Sequence, residues 1–269
     1  QAWEVGTELS FLDGRAGVDL TYYQKRTTDQ ILTASVSRTT GFDAAAVNAG
    51  SLSNKGIEVQ FTATPVKIAN GLSWDITANY AHNQNRLESL YGESTTYQIG
   101  SKFFNTSIEA RVGEPYGSIV GYKFRRDTVS GQVVLGANGV PLRALTTSVL
   151  GNIQPKWTGG LINTFRYKSF ELSGQIDARI GGQLYSATNA WGKYAGILKV
   201  TEQRDSLITT TGVDSKGNPV TKQATAEDYW HGLGYNSGDE DNILDASFVK
   251  LREVRIGWAV PQSLLGRST

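Results

Sequence analysis

The side chains able to do chemistry are few in kind. There is no cysteine and there are two histidines, so a thiolate or His/Cys zinc centre lacks its donors. His82 falls near the end of an alternating stretch and His231 in a long polar connection. Histidines without an acid or nucleophile beside them read as surface or interfacial groups. Neither a Gly-x-Ser-x-Gly elbow nor a phosphate-cradling glycine loop occurs, which removes the serine-hydrolase and nucleotide signals. Asp239-Glu240-Asp241 offers the hard oxygen ligands that suit Ca²⁺, but its spacing is not that of an EF-hand loop. It reads as a solvated acidic loop. Glycoside hydrolysis needs two carboxylates at a set separation, and Glu58, Asp75 and Asp177, with Arg179 nearby, define no such pair. The expectation is therefore no catalytic residue, no cofactor and no metal: not an enzyme.

Recognition is better supplied than catalysis. Two long polar connections carry Tyr91, Tyr97, Phe103, Phe104, Tyr116, Trp191, Tyr194, Tyr229 and Trp230. An exposed ring suits the apolar face of a sugar, with neighbouring Asn and Asp taking its hydroxyl groups. The alternative is that these rings pack the connections against one another or against a partner. Trp191 and Trp230 are the residues chosen for ligand or partner contact.

These side chains need a scaffold, and the alternation of residue types supplies it. Trp3, Val5, Thr7, Leu9 and Phe11 share one face of a strand, with Glu4, Gly6, Glu8 and Ser10 on the other. The Asp13-Gly14 turn leads to Ala16, Val18, Leu20 and Tyr22. Further strands are expected at about Lys55 to Pro65, from Leu72 through Tyr80, Trp157 to Lys168, Phe170 to Ile180 and Ser247 to Val260. In the last of these the apolar phase slips, and a bulge near Arg252 would absorb the slip. From Gln183 to Arg204 apolar residues recur at spacings of three and four, which predicts a helix within that connection.

Short and long connections alternate strictly. The long ones run Thr27–Asn54, Asn83–Lys156 and Gly181–Ala246. Tight turns at one end of the strands and long loops at the other describe a transmembrane β-barrel, and most strands reach the roughly 9–11 residues that a tilted span requires. Aromatic residues near strand ends, such as Trp74, Tyr80, Tyr167 and Trp258, suit an interfacial girdle. No apolar run approaches the ~20 residues of a membrane helix. A formal net charge of +1 argues against nucleic acid as a partner. Met is absent and the chain starts at Gln1, which is expected of a processed product or a fragment.

An ordered set of motifs goes further. Leu20-Thr21-Tyr22-Tyr23-Gln24-Lys25 is followed by Asn48-Ala49-Gly50, Asn54-Lys55-Gly56-Ile57-Glu58 and Gly113-Glu114-Pro115-Tyr116-Gly117. Leu150-Gly151-Asn152 then precedes Asn163-Thr164-Phe165, Gly181-Gly182 and Ala246-Ser247-Phe248-Val249-Lys250-Leu251-Arg252-Glu253. Taken in this order across nearly the whole chain, they resemble the C-terminal barrel region of the SusC/RagA family of TonB-dependent outer-membrane receptors.

The resemblance implies an all-β fold: about seven antiparallel strands of a 22-stranded transmembrane barrel, with long extracellular loops, in one of which the spacing above predicts a helix. It makes residues 1–269 a partial barrel domain. The plug and the last strands would be missing, since the chain stops at Gly266-Arg267-Ser268-Thr269. The implied function is TonB-dependent import of large nutrients (glycans, in some members peptides) at the bacterial outer membrane. The implied partners are a SusD-like surface lipoprotein, the TonB complex through the missing N-terminal part, outer-membrane lipid and the oligosaccharide or peptide cargo. The rival reading is a secreted β-rich glycan-binding or adhesin module.

Overall fold

The computed structural model describes residues 1–35, 44–48, 50–100 and 102–261. Ala49 and the terminal Gly266-Arg267-Ser268-Thr269, both used in the sequence reading, lie outside them. In chain order the first strands are β1 (Ala2–Phe11), β2 (Ala16–Thr27), β3 (Ile31–Ser35), β4 (Ala44–Asn48), β5 (Ser51–Lys67) and β6 (Leu72–Ser89). Then come β7 (Thr96–Gln98), β8 (Ser107–Arg111), β9 (Ser118–Gly121), β10 (Ser148–Asn152), β11 (Trp157–Tyr167) and β12 (Phe170–Ile180). After β13 (Gln183–Tyr185) lies helix α1 (Ala187–Tyr194), and after β14 (Leu207–Val213) and β15 (Pro219–Thr225) lies α2 (Ala226–His231). The short β16 (Ile243–Asp245) and the long β17 (Phe248–Trp258) close the order.

The chain divides into two compact units. The first comprises Gln1–Tyr91, Pro155–Gly181 and Ser247–Thr269, and the second Gly92–Gln154 and Gly182–Ala246.

The first unit is a seven-stranded antiparallel sheet in the order β1-β2-β5-β6-β11-β12-β17, with β3 and β4 as a separate hairpin. Its register keeps like with like. Leu9 faces Val18, Val18 faces Phe61, and Phe61 faces Ala78. Ala78 faces Leu161, and Leu161 faces Ile176. A slip of one residue would turn each of these sets over to the other face. The predicted bulge is present: Gln175 pairs Glu253 while Ile176 pairs Leu251, so Arg252 is the extra residue. It returns Leu251 and Val254 to the apolar face. The guanidinium of Arg252 meets Asp177 at 2.7 Å.

The polar face carries a chain of ion pairs, Asp75–Arg166 at 2.5 Å, Arg166–Glu171 at 2.8 Å and Glu171–Arg255 at 2.5 Å. Near the tight-turn end the other face stacks Trp74 on Phe165 and Phe170 on Trp258, each pair 11° from parallel. Near the opposite end Trp3 meets Tyr22, and Tyr80 meets Trp157.

The expected fold class, a segment of a transmembrane β-barrel, is corrected by this topology. The sheets are antiparallel, but every one of them is open. The wide sheet ends at β1 on one side and β17 on the other, and among the described residues neither edge has a partner that would close it. Alternation encodes which face of a strand is apolar. It does not encode closure, which depends on edge pairing and shear. Among the described residues no helix is long and apolar enough to cross a membrane, a statement about helices only.

The second unit has a core of its own. A four-stranded antiparallel sheet runs β10-β9-β8-β7, beside the hairpins β14-β15 and β13-β16. Ile119, Val120, Val134, Leu135, Val213 and Leu233 are buried in it. A parallel bridge joins Val134 to Val213, so the stretch before β10 docks on the later hairpin.

Candidate functional site

Helix α1 is fixed at both ends by its own sequence. The Ser186 hydroxyl accepts the Asn189 backbone N–H at 3.1 Å, an N-cap that satisfies one orphan donor of the first turn. At the other end Gly196 adopts φ +66°. Ile197 N–H then reaches the Gly192 carbonyl at 3.0 Å and Gly196 N–H the Lys193 carbonyl at 3.1 Å, the paired bonds of a Schellman stop. A Cβ on Gly192 would come within 2.7 Å of the Leu198 side chain, so this glycine admits the returning chain. The helix predicted within Gln183 to Arg204 thus exists, shortened to Ala187–Tyr194. Helix α2 starts on Thr225, whose hydroxyl accepts from Asp228 N–H at 3.1 Å.

Trp191 projects from α1 into a cluster of rings. It lies edge-on to Phe104 at 5.2 Å and to Tyr194 at 5.4 Å, and stacks on Tyr235 at 6.3 Å. Phe103 packs against Phe104 at 4.5 Å and Tyr185 at 6.2 Å. Such contacts contribute roughly 0.5–1.5 kcal/mol each beyond area burial. The cluster is nonetheless open to solvent: Trp191 keeps 45% of its surface exposed and Tyr235 50%. The rings therefore pack the connections together, as one sequence reading held, and still present free faces.

Phe104 sits where an aromatic residue is out of place. Phe103 and Thr106 exchange backbone hydrogen bonds at 2.8 and 2.9 Å, so Phe104 and Asn105 form the tip of a two-residue hairpin. Phe104 has φ +51°, and glycine ordinarily takes that first tip position. A bulky residue there costs on the order of 1–3 kcal/mol, offset by its ring contacts. Sequence reading picked out Phe104 as an aromatic but gave no hint of this strain, because the turn is made by residues that are not turn formers.

Trp230 stands apart from Trp191 in the ring contacts. It pairs with Tyr229 at 5.1 Å and lines a cleft of about 350 Å³ together with Tyr194, Arg204, Asp205, Glu227 and His231. The His231 ring stacks on Tyr194 at 4.4 Å, and Tyr194 also belongs to the Trp191 cluster. The two chosen tryptophans thus occupy neighbouring places, an open ring cluster and a cleft. The cleft mixes an aromatic wall with two carboxylates and a guanidinium, groups that hold a ring with polar substituents.

The acidic run is the element whose role sequence reading missed. Asp239 and Asn242 are buried, so this is not a solvated loop. The Asp239 carboxylate accepts Tyr122 N–H at 2.8 Å, and Glu240 accepts Phe124 N–H at 3.1 Å. Asp241 pairs with the buried ammonium of Lys193. Asn242 accepts from Asn189 and Lys193, and donates to the Leu233 carbonyl at 3.3 Å. Two of these partners, Asn189 and Lys193, stand on α1. The run is therefore a clasp that orients the helix carrying Trp191.

Burial pushes the Asp239 carboxyl above its usual range despite the Tyr122 N–H, Arg143 and Lys102. Burial, with Asp239 adding, pushes the Tyr185 phenol up to about 12. Among the described residues no group of three His, Asp or Glu is placed to hold a metal ion. In the first unit His82 contacts the Lys156 carbonyl at a strand end. Asp75, Asp177 and Arg179 line the polar face of the sheet, as does Glu58 opposite Thr21.

Comparison with known proteins follows from this geometry. Residues 1–247 match the family model described as TonB dependent receptor-like, beta-barrel. TonB-dependent receptor P26 of Formosa agariphila is 26% identical over 287 residues, covering 98% of this chain and 28% of the relative. TonB-dependent receptor SusC of Bacteroides thetaiotaomicron is 28% identical over 283 residues, covering 96% of this chain and 25% of that protein. The chain thus spans between a quarter and three tenths of the length of these relatives. Among solved structures, the RagAB peptide transporter aligns with TM-score 0.70 at 16% identity, over 100% of this chain and 30% of the other. The RagAB peptide importer in its open-open state aligns with TM-score 0.72 at 15% identity, over 99% and 29%. At such identities these two likenesses speak to fold.

Proposed function

The chain belongs to the TonB-dependent receptor β-barrel family, in its SusC/RagA type, and from that premise we propose that it is part of an outer-membrane receptor importing oligosaccharides or peptides. The family is one of transport receptors, not of enzymes. Residues 1–269 are on this reading one portion of a longer receptor, whose plug and TonB-binding segment lie outside them. A SusD-like surface lipoprotein is the partner, and cargo is held between it and the second unit. The solved likeness is a peptide transporter, which supports peptide cargo, and oligosaccharide cargo comes from the SusC/RagA resemblance.

The observation that carries the site is the ring cluster and cleft around α1 and α2. Trp191 offers a free face to cargo or to the lipoprotein, and Trp230 walls a cleft with hydrogen-bonding groups. Truncating either ring is expected to weaken capture by about 1–3 kcal/mol, which is roughly five- to a hundredfold. The test uses the complete receptor in its own cells. W191A and W230A are compared with the parent for growth on defined oligosaccharides and on peptide mixtures, and for recovery of the lipoprotein in pull-downs. Unchanged uptake and unchanged lipoprotein recovery would remove both residues from the site. A chain found free in the medium, with uptake unaffected by its deletion, would move the reading to the secreted binding module.

A further inference from the structure

The apolar face of the wide sheet changes character in an ordered way along β2, β5 and β6. Cross-strand partners give successive rungs on this one face. From the tight-turn end they are Ala16–Ala63–Ile76, Val18–Phe61–Ala78, Leu20–Val59–Tyr80 and Tyr22–Ile57–His82. The next two rungs are Gln24–Lys55–Gln84 and Arg26–Ser53–Arg86. Apolar side chains thus give way, within one residue pair, to three cations and two amides. The ring of Trp3, 5.3 Å from Tyr22, marks the boundary. At this polar end the surface is concave, a groove of about 400 Å³ that Arg26, Lys55 and Arg86 line.

Among the described residues the groove carries three cations against one carboxylate. Its one carboxylate, Glu88, is engaged by the Ser53 hydroxyl at 2.6 Å. Arg26 Nε donates to Ser51 at 3.1 Å, which orients the guanidinium. Among the described residues no carboxylate lies within ion-pair distance of Arg26, Lys55 or Arg86. Two guanidinium forks and one ammonium suit the oxygens of a phosphate monoester, which Arg grips at two points and Lys as a point charge.

We propose that this groove binds the phosphate-bearing headgroup of an anionic lipid, whose acyl chains lie down the adjoining apolar rungs. The four rungs from Ala16 to Tyr22, apolar except for His82 at the last, span six residue steps, about 20 Å at ~3.4 Å per residue. One leaflet's hydrocarbon is about 15 Å deep, half of the ~30 Å core, so the chains find apolar wall along their length. The proposal rests on the membrane location given above but not on any cargo. It adds a headgroup-selective site to a face that otherwise offers only apolar contact.

The experiment is native mass spectrometry of the complete receptor in nonionic detergent, with phosphatidic acid and phosphatidylcholine of identical acyl chains supplied together. Phosphatidic acid is expected to be retained at least about tenfold over phosphatidylcholine. The variant R26Q/K55Q/R86Q is expected to lose about a hundredfold of that retention, near fivefold per cation. The variant R166Q/R255Q, on the opposite face, is expected to keep it. Should the triple variant not fold, the single exposed R86Q is read in its place for the fivefold loss.

Equal retention of the two lipids by the parent receptor would overturn the phosphate groove and leave the membrane location standing. Retention of neither lipid would likewise overturn the groove. Displacement of phosphatidic acid by an equal concentration of inorganic phosphate would show that acyl chains contribute nothing, and would overturn the assignment to a lipid.

Discussion

The two units solve the burial problem in opposite ways. Of the twelve buried apolar side chains among the described residues, eleven lie in the second unit, and the first supplies only Leu87. The first unit instead leaves its apolar face outward, with Ile256 78% exposed and Val5 65%. Its own contribution to order is a long backbone ladder, sorted by register into an apolar and a polar face. The second unit has short strands, two short helices and a closed core of Ile119, Val120, Val134, Leu135 and Val213. It is a small globular body by its own means. The lesson concerns where a substitution registers. In the second unit, side-chain packing carries stability. In the first, changes to the apolar face register chiefly against whatever covers that face.

The sharpest way to break this comparison is to remove equal side chains from each unit. Ile119→Ala, at 1% exposure, is expected to destabilise the second unit by about 2–5 kcal/mol, read from urea midpoints in detergent. A cost below about 1 kcal/mol would mean that this core is not close-packed. Next in size, Asn242→Ala removes a buried amide that serves Asn189, Lys193 and Leu233. About 1–3 kcal/mol is expected, because the partners lose a satisfied bond. Helix α1 should loosen at the same time, seen as faster amide exchange at residues 187–194.

The pH dependence sharpens the contrast between two kinds of carboxylate within the second unit. Asp239 has its folded value raised above the usual 3.8 by burial. The folded state therefore takes the proton first, so the contribution to stability is full below 3.8 and lost as pH rises through the folded value. Asp127 and Asp214 are lowered, chiefly by hydrogen bonds from Ser130 and Asn218 respectively. Their contributions are present above 3.8 and lost as pH falls through the lowered values. Asp239→Asn should remove the gain in stability that the parent shows on mild acidification just above 3.8. Identical profiles for parent and variant would show that Asp239 is not the group responsible.

The smallest effects belong to the first unit. Arg166→Gln breaks two half-exposed ion pairs and should cost at most about 1 kcal/mol. Ile256→Ala should change the urea midpoint of the isolated chain by no more than about 0.5 kcal/mol. A loss of several kcal/mol at Ile256 would erase the distinction between the units.

How much of this could be read beforehand follows the same division. The seven strands of the wide sheet were legible from alternation, although it is imperfect in β11, and β5 and β6 run well past the expected ends, to Ser51–Lys67 and Leu72–Ser89. The bulge at Arg252 was legible because the phase of Val249 and Leu251 disagrees with that of Val254 and Ile256. Closure was not, since Trp3 and Trp258 carry no mark of whether an edge is paired. The second unit looked like two loops. Its strands are three to seven residues long, too short to show a period. Its core joins residues remote in sequence, such as Val134 and Val213. The acidic run misled for a related reason: Asp239-Glu240-Asp241 looks hydrated until Tyr122 and Phe124 arrive from more than a hundred residues away. Trp191 was legible as an aromatic on a helix, but not the strained Phe104 beside it.

The second unit is stitched from two separate lengths of chain, Gly92–Gln154 and Gly182–Ala246. Neither length holds both halves of the Val134–Val213 bridge or of the Asp239–Tyr122 bond. For evolution, and for an engineer exchanging specificities between relatives, the heritable piece is therefore the pair. One insertion grafted alone would arrive with half a core, so changes in the two lengths should be inherited together.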